Sequence, residues 1–293
     1  MGIKIVTDVG CDLPFEYCQE HNLTVVDMGV NMEGKSYVIT HDPSSPVYFD
    51  PHEFYEKIKS GVVATTTQGI VMDFIIAMEP HLINGDDILY LGFSSGISGT
   101  YNSGRLAAEE LQEKYPDRKI VAVDTLSASL GEGLFIHEVL NKLAAGYDFD
   151  ALAEYAKNLP QRCHHWFTVD DLNCLARGGR LSNASAFLGT MLNIKPVLHV
   201  NEEGKLVARE KVRGRKQALK ALVERMAESR DIPDSSIMFS HGDCSDDEID
   251  FMRQLIRDKV GQEVEMVNFI CPLIGSHSGP GTVALFFFST QPR

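Results

Sequence analysis

The sequence lacks long apolar runs. No segment of the 293 residues supplies the roughly 18 or more consecutive apolar residues that a membrane-spanning helix requires. Met1–Asp8 alternates in the manner of a strand and shows neither the apolar region nor the small-residue cleavage site of a signal peptide. We therefore expect a protein with no transmembrane segment, located in the cytoplasm.

Basic residues are scarce. The chain has 27 Lys and Arg against 41 Asp and Glu, a net charge of −14, whereas nucleic-acid binding rewards clustered positive charge. This balance argues against a nucleic-acid partner. One local exception is Lys205–Lys220, with seven basic residues and one Glu. It is either a docking face for an acidic partner or a hairpin followed by the exposed start of a helix.

Closely spaced cysteine pairs are also absent. No Cys-x-x-Cys occurs, so we expect reduced thiols and neither a disulfide framework nor a zinc site. Cys163-His164-His165 is too compact to form a metal site by itself. The six cysteines stand at positions 11, 18, 163, 174, 244 and 271.

What the sequence does contain is a regular alternation of short apolar runs and helical patterns. The runs Ile3–Asp8, Leu23–Met28 and Lys119–Asp124 are predicted strands, and helices are predicted between them. The alternation predicts an α/β fold with a mostly parallel sheet in the N-terminal domain. The length suits two domains. We place their boundary after a helix that ends before Pro160, giving domains 1–160 and 161–293.

The central stretch of the chain is Asp87–Asn102, which predicts a strand, a loop and the start of a helix. Backbone N–H groups at a helix N-terminus are unpaired and favour an anion. Hydroxyl groups of the loop add further donors: Ser94, Ser95, Ser98 and Thr100. The alternative is a structural helix cap in a glycine-rich turn, for which Ser and Gly are common.

Three other segments carry candidate functional groups. Thr65–Gly69 is a second hydroxyl cluster, which precedes an apolar helix predicted from Ile70 to Met78. His277 stands between two serines in a segment that we interpret as a Gly/Pro-rich turn, where a ligand could reach it. The predicted helix Ala184–Leu192 has small and apolar residues, which suit either core packing or the wall of an apolar tunnel.

In combination, four motifs resemble the DegV family of bacterial fatty-acid-binding proteins, and the resemblance spans the whole chain. It implies two α/β domains with a lipid held between them. One departure is that Thr67 and Gly69 replace the Ser and Pro that the family usually has. The motifs are Thr66-Thr67-Gln68, Ser94-Ser95-Gly96-Ile97-Ser98-Gly99-Thr100-Tyr101, Gly178-Gly179-Arg180 and Ile274-Gly275-Ser276-His277-Ser278-Gly279-Pro280-Gly281.

The resemblance also implies roles for single residues. Thr66, Ser95 and His277 would hold the carboxylate of a fatty acid, with Ser98 and the Gly96 amide close by. The protein would be a carrier and not an enzyme, with the fatty acid as bound ligand and no cofactor. It would present the acid to a separate fatty acid kinase, which phosphorylates the carboxyl group using ATP. Outside the carboxylate site, Arg180 would help to engage that kinase.

Two competing hypotheses use the same loop. Gly92-Phe-Ser-Ser-Gly96 fits Gly-x-Ser-x-Gly between a strand and a helix, the setting of a hydrolase nucleophile. Ser94 would then be the nucleophile and His277 its base, although no Gly-rich oxyanion motif precedes the loop. The third hypothesis is a phosphate-binding protein, because the same donors suit phosphate and carboxylate.

Overall fold

The computed structural model describes residues 2–182 and 193–293, which form an α/β fold with three sheets. The helix predicted at Ala184–Leu192 lies outside the described residues. The strands are β1 (Ile3–Asp8), β2 (Thr24–Val26), β3 (Met28–Met32), β4 (Lys35–Ile39), β5 (Ala64–Thr67), β6 (Asp87–Gly92), β7 (Ile120–Asp124), β8 (Cys163–Thr168), β9 (Leu181–Ser182), β10 (Ile194–Val200), β11 (Leu206–Arg213), β12 (Ile237–His241), β13 (Met266–Phe269) and β14 (Val283–Phe288).

Helices connect most of these strands. None in the described ranges is long and apolar enough to cross a membrane. They are α1 (Phe15–Glu20), α2 (Pro51–Lys59), α3 (Val71–Ile83), α4 (Thr100–Lys114), α5 (Leu130–Ala144), α6 (Phe149–Lys157), α7 (Leu172–Arg177), α8 (Arg215–Ser229), α9 (Asp246–Val260) and α10 (Pro272–Ser278).

The first sheet confirms the predicted parallel architecture. Its order is β2-β1-β6-β7, and all neighbouring pairs are parallel. Side chains of β6 alternate between two helical layers. Ile88 and Tyr90 pack with α3 and α4, whereas Leu89 and Leu91 pack with α5 and α6. A strand buried on both faces explains the continuous apolar run in the sequence.

The second sheet was not predicted. It is antiparallel, with the order β4-β3-β5. The single strand predicted over Leu23–Met28 is therefore divided between two sheets. Glu33 and Gly34 join β3 to β4 with φ of 52° and 74°, the conformation that a two-residue hairpin turn requires. Thr65–Thr67, interpreted from the sequence as a hydroxyl cluster before a helix, belongs to β5.

The third sheet is mainly antiparallel and comes from the second half of the chain. Its order in the described residues is β13-β12-β14-β8-β10-β11-β9. Helices α8 and α9 cover one face. Helix α5, from the first half, packs against the other face and also against the parallel sheet, so the two halves share one core. No strand pairing joins the halves within the described residues, and the boundary at residue 160 stays a prediction.

One local prediction near the candidate site was wrong. His277 lies in α10 and not in a turn, because Pro272 suits the first helical turn and Gly279, at φ 78°, follows its end. All six cysteines are free in the structure, and their reduced state stays a prediction.

Candidate ligand-binding site

A cavity of about 590 Å³ lies between residues of the two halves of the chain. Most of its wall is apolar, and polar groups of three segments, β5, the β6–α4 loop and α10, also face it. Such a cavity suits an amphipathic small molecule. The apolar lining residues include Phe93, Ile97, Phe167, Val200, Leu206 and Phe286.

The polar part of the cavity contains a direct contact between two predicted site residues. Thr66 Oγ1 lies 2.8 Å from His277 Nε2, although 211 positions separate the residues in sequence. Strand β5 presents Thr66, and α10 packs against that strand. Burial, and secondarily the charge of Arg180, lowers the pKa of His277 to about 4. The imidazole is therefore neutral at neutral pH and can donate one hydrogen bond.

The hydroxyl of Ser94 does not line the cavity. Ser94 is fully buried, and its Oγ donates to the Gly204 carbonyl at 2.8 Å. The Gly96 amide donates to Ser94 Oγ at 3.2 Å. Gly96 lines the cavity, and a Cβ there would meet the Glu203 carbonyl oxygen at 2.4 Å. Ser94 and Gly96 therefore fasten the β6–α4 loop to the β10–β11 turn.

Several amides of this loop are already paired within the protein. The amides of Ile97 and Ser98 both donate to the Ser94 carbonyl at 3.1 Å. The Ser95 amide donates to the Asp124 carboxylate at 3.2 Å. The amides of Ser95, Ile97 and Ser98 are therefore not free to bind a ligand.

Ser95 and Ser98 both line the cavity. Ser95 is exposed, and its hydroxyl makes no hydrogen bond to the residues that the structure describes. Ser98 Oγ lies 2.9 Å from Thr100 Oγ1 and accepts a bond from the Thr100 amide. Ser95 therefore has the freer hydroxyl, whereas the hydroxyl of Ser98 is already bonded to Thr100, the first residue of α4.

Arg180 borders the same cavity and is exposed. Its Nη1 donates to the carbonyl of Gly178, two residues earlier. Among the described residues it makes no ion pair with an acidic side chain. A guanidinium at this place leaves donors for an anionic group of a ligand or partner.

Two buried aspartates, which were not predicted as site residues, hold two segments of the site in place. Asp8 accepts from the Phe93 amide at 3.3 Å, and Asp12 accepts from the Cys271 amide at 2.9 Å, at the start of α10. Burial raises the pKa of Asp8 to about 6 and that of Asp12 to about 7.

The hydrolase hypothesis requires Ser94 next to His277. The structure gives them different partners: Ser94 donates to Gly204, and His277 contacts Thr66. Since Ser94 is also fully buried, the proposed nucleophile and base do not form a pair.

A possible metal-ligand cluster lies elsewhere in the described part of the chain. His52, Glu56 and Asp243 bring one ligand atom each within 4.8 Å of the others. Lys59 Nζ lies 2.6 Å from Asp243 and 3.0 Å from Glu56. Its ammonium group already supplies the positive charge between these carboxylates.

The fold and the cavity together define an α/β protein with a largely apolar cavity that has hydroxyl and imidazole groups in its wall.

The sequence model of the DegV family, described as "Uncharacterised protein, DegV family", matches residues 2–290. A DegV domain-containing protein of Clostridium perfringens is 36% identical over 284 residues, covering 97% of this chain and 96% of the relative. The chain belongs to the DegV family.

Solved structures show the same fold. A lipid-binding DegV protein of Thermotoga maritima matches with a TM-score of 0.84 and 28% identity, with complete coverage of both chains. A fatty-acid-binding DegV family protein of Thermus thermophilus also has a TM-score of 0.84, with 33% identity, 99% of this chain and 100% of that chain covered. The predicted family and fold class are thus confirmed.

Proposed function

We propose that this protein binds one long-chain fatty acid in the cavity, with its carboxylate at Thr66, Ser95 and His277. The observation that carries the proposal is the Thr66–His277 contact of 2.8 Å in the wall of a largely apolar chamber. Ser98 lies close enough in the chain to assist. Ser94 and the Gly96 amide contribute by holding the loop in place, because their own bonds are internal.

The chemistry of this wall suits a carboxylate. A carboxylate that leaves water needs several hydrogen-bond donors. The Ser95 hydroxyl supplies one, and the Thr66–His277 pair supplies another, since their mutual bond uses one of its two hydrogens. The acyl tail gains about 0.8 kcal/mol for each methylene buried in an apolar wall. The tail then supplies most of the affinity and the polar groups fix the orientation. Fatty-acid binding by the similar Thermus thermophilus protein supports the proposal.

The second part of the proposal is presentation. The protein is a carrier without catalytic residues, and a separate, ATP-dependent fatty acid kinase in the cytoplasm phosphorylates the bound acid. Arg180 supports this role, because it is exposed and borders the cavity without an acidic partner in the described residues. A planar guanidinium can bind a carboxylate or phosphate through two parallel bonds.

Lipid content tests the binding proposal directly. We expect organic extraction of the purified protein, followed by lipid mass spectrometry, to release a fatty acid in near-stoichiometric amount. Protein stripped of lipid should rebind stearic acid in calorimetry. If the stripped protein remains folded but binds no fatty acid, the proposal is wrong. A fluorophosphonate probe provides the enzyme test, since covalent labelling of Ser94 would favour the hydrolase hypothesis.

A further inference from the structure

The peptide bond between Ile270 and Cys271 lies directly before α10, the helix that carries His277. Ile270 lines the cavity, and Cys271 is the N-cap of α10. His277 follows six residues after Cys271, about 9 Å further along the helix axis. The orientation of this one peptide unit therefore helps to decide where the imidazole meets Thr66.

Two buried side chains from the first half of the chain bind both polar groups of this peptide unit. The hydroxyl of Tyr55, on α2, donates to the Ile270 carbonyl at 3.0 Å. The Cys271 amide donates to the carboxylate of Asp12 at 2.9 Å. Tyr55 is fully buried, and Asp12 is 5% exposed. The plane of the peptide is therefore fixed by a donor on one edge and an acceptor on the other.

Tyr55 also forms the surface on which α10 rests. A Cβ at Gly275 would be 2.5 Å from the Tyr55 hydroxyl oxygen and 2.9 Å from Cε1 of Phe54. Glycine at this position allows the backbone of α10 to lie directly on the tyrosine, two residues before His277. The same side chain thus supports the helix and bonds the peptide that precedes it.

Asp12 is held in place by a second contact of its own. Ser129, which lines the cavity just before α5, donates its hydroxyl to the other carboxylate oxygen of Asp12. Asp12 has a φ of 54°, a left-handed conformation that Asp and Asn adopt more readily than most residues. The acceptor for the Cys271 amide is therefore fixed by its backbone and by Ser129.

We propose that Tyr55 and Asp12 are positioning residues for fatty-acid binding: by fixing the Ile270–Cys271 peptide, they hold α10 where His277 can bind the carboxylate together with Thr66. The inference rests on the proposed function, because it concerns the same carboxylate site. Neither Tyr55 nor Asp12 is among the described residues that line the cavity, so both act through His277. Without them a buried carbonyl or amide lacks its partner, and the start of α10 shifts to regain one.

Tyr55→Phe tests the donor, because the ring that supports Gly275 remains while the hydroxyl is lost. We expect lipid-stripped protein to bind stearic acid roughly fivefold more weakly or worse, measured by displacement of a fluorescent fatty acid. Affinity for 1-octadecanol, which has no carboxylate, should stay close to the wild-type value. Tyr155→Phe is the matched control, since the Tyr155 hydroxyl bonds Glu138 away from the cavity lining. It should leave both affinities unchanged.

Asp12→Gly and Asp12→Asn test the acceptor. Both replacements suit the left-handed backbone at this position, but only asparagine keeps an oxygen that can accept from the Cys271 amide. Asp12→Gly should weaken stearic acid binding about as much as Tyr55→Phe does. Asp12→Asn should restore an affinity near that of wild type.

A double-mutant cycle separates positioning from a general loosening of the cavity. In protein that already carries His277→Ala, Tyr55→Phe should have no further effect on stearic acid binding, because the group that it positions is absent. An equal loss with and without His277 would show that the two residues act independently, and the positioning role would be wrong. An equal loss of stearic acid and 1-octadecanol binding in Tyr55→Phe would overturn it as well.

The outcomes also separate this inference from the proposed function. If His277→Ala weakens stearic acid binding but folded Tyr55→Phe and Asp12→Gly bind it as wild type does, the positioning role is wrong and the proposed function stands. If folded wild-type protein binds no stearic acid, the proposed function fails and this inference fails with it.

Discussion

Gly178 lies against the imidazole of His277, so closely that a Cβ at position 178 would be 2.5 Å from Nδ1. Gly178, which follows the end of α7, thus also shapes the position of the candidate ligand-binding His277. Gly178 itself has an ordinary φ of −71°. The requirement for glycine here arises from the contact and not from the backbone conformation.

Gly178→Ala should weaken fatty-acid binding by roughly tenfold or more, because the new methyl group displaces His277 from Thr66 and removes a buried hydrogen bond. Calorimetry with stearic acid measures the change. Gly179→Asn is the matched control, since position 179 has a φ of 68°, which Asn tolerates, and open space around it. Equal affinities for both variants and wild type would contradict the prediction.

His277→Ala and Ser95→Ala should each lower fatty-acid affinity by about 1–3 kcal/mol, since each removes a donor for a carboxylate held away from water. Titration of stripped protein with stearic acid gives the values. Ser276→Ala serves as the control. Its hydroxyl bonds the Pro272 carbonyl within the same helix and does not line the cavity. Wild-type affinity in both site variants would remove the proposed carboxylate site.

Arg180→Ala should retain its lipid and a near-normal melting temperature but lose most kinase-dependent phosphorylation of the bound acid. The reason is that an exposed cation at the cavity contributes only about 0.3–1 kcal/mol to the fold as a helix-end charge. Lipid content and acyl-phosphate formation are measured side by side with the partner kinase. Arg177→Ala, an exposed arginine on α7 outside the cavity lining, is the comparison. If the acid bound to Arg180→Ala is phosphorylated as fully as the acid bound to Arg177→Ala, Arg180 has no docking role.

Acidification should stabilise the wild-type fold relative to Asp12→Asn. Burial raises the pKa of Asp12 from 3.8 to about 7, so between these values the folded protein holds a proton that the unfolded chain releases. The contribution of Asp12 to the free energy of unfolding therefore falls as pH rises through this window and is constant above it. Urea denaturation from about pH 5 to about pH 8 should show a steeper decline for wild type than for the variant. Parallel curves would contradict the prediction.

Local patterns predicted the elements that local sequence determines. The apolar run of β6 and the turn of small residues after it were sufficient to predict a strand, a loop and a helix. The pairing of Thr66 with His277 depends on contacts across 211 positions, and only the family resemblance indicated it. No local signal connects Asp12 with Cys271, because its carboxylate meets an amide 259 positions away. The antiparallel sheet was missed for a similar reason: Thr65–Thr67 becomes a strand only by pairing with β3.

The location of α5 between the parallel sheet and the seven-stranded sheet has a consequence for how the chain unfolds. Phe135 and Leu134 of α5 are fully buried in the same core as Phe167 and Phe286 from the second half. Removing residues 1–160 would expose that face of the second sheet to water. We therefore expect a single calorimetric transition for the intact chain and no stably folded fragment from residues 161–293 alone. Each half of the protein therefore keeps the apolar core surface of the other half out of water.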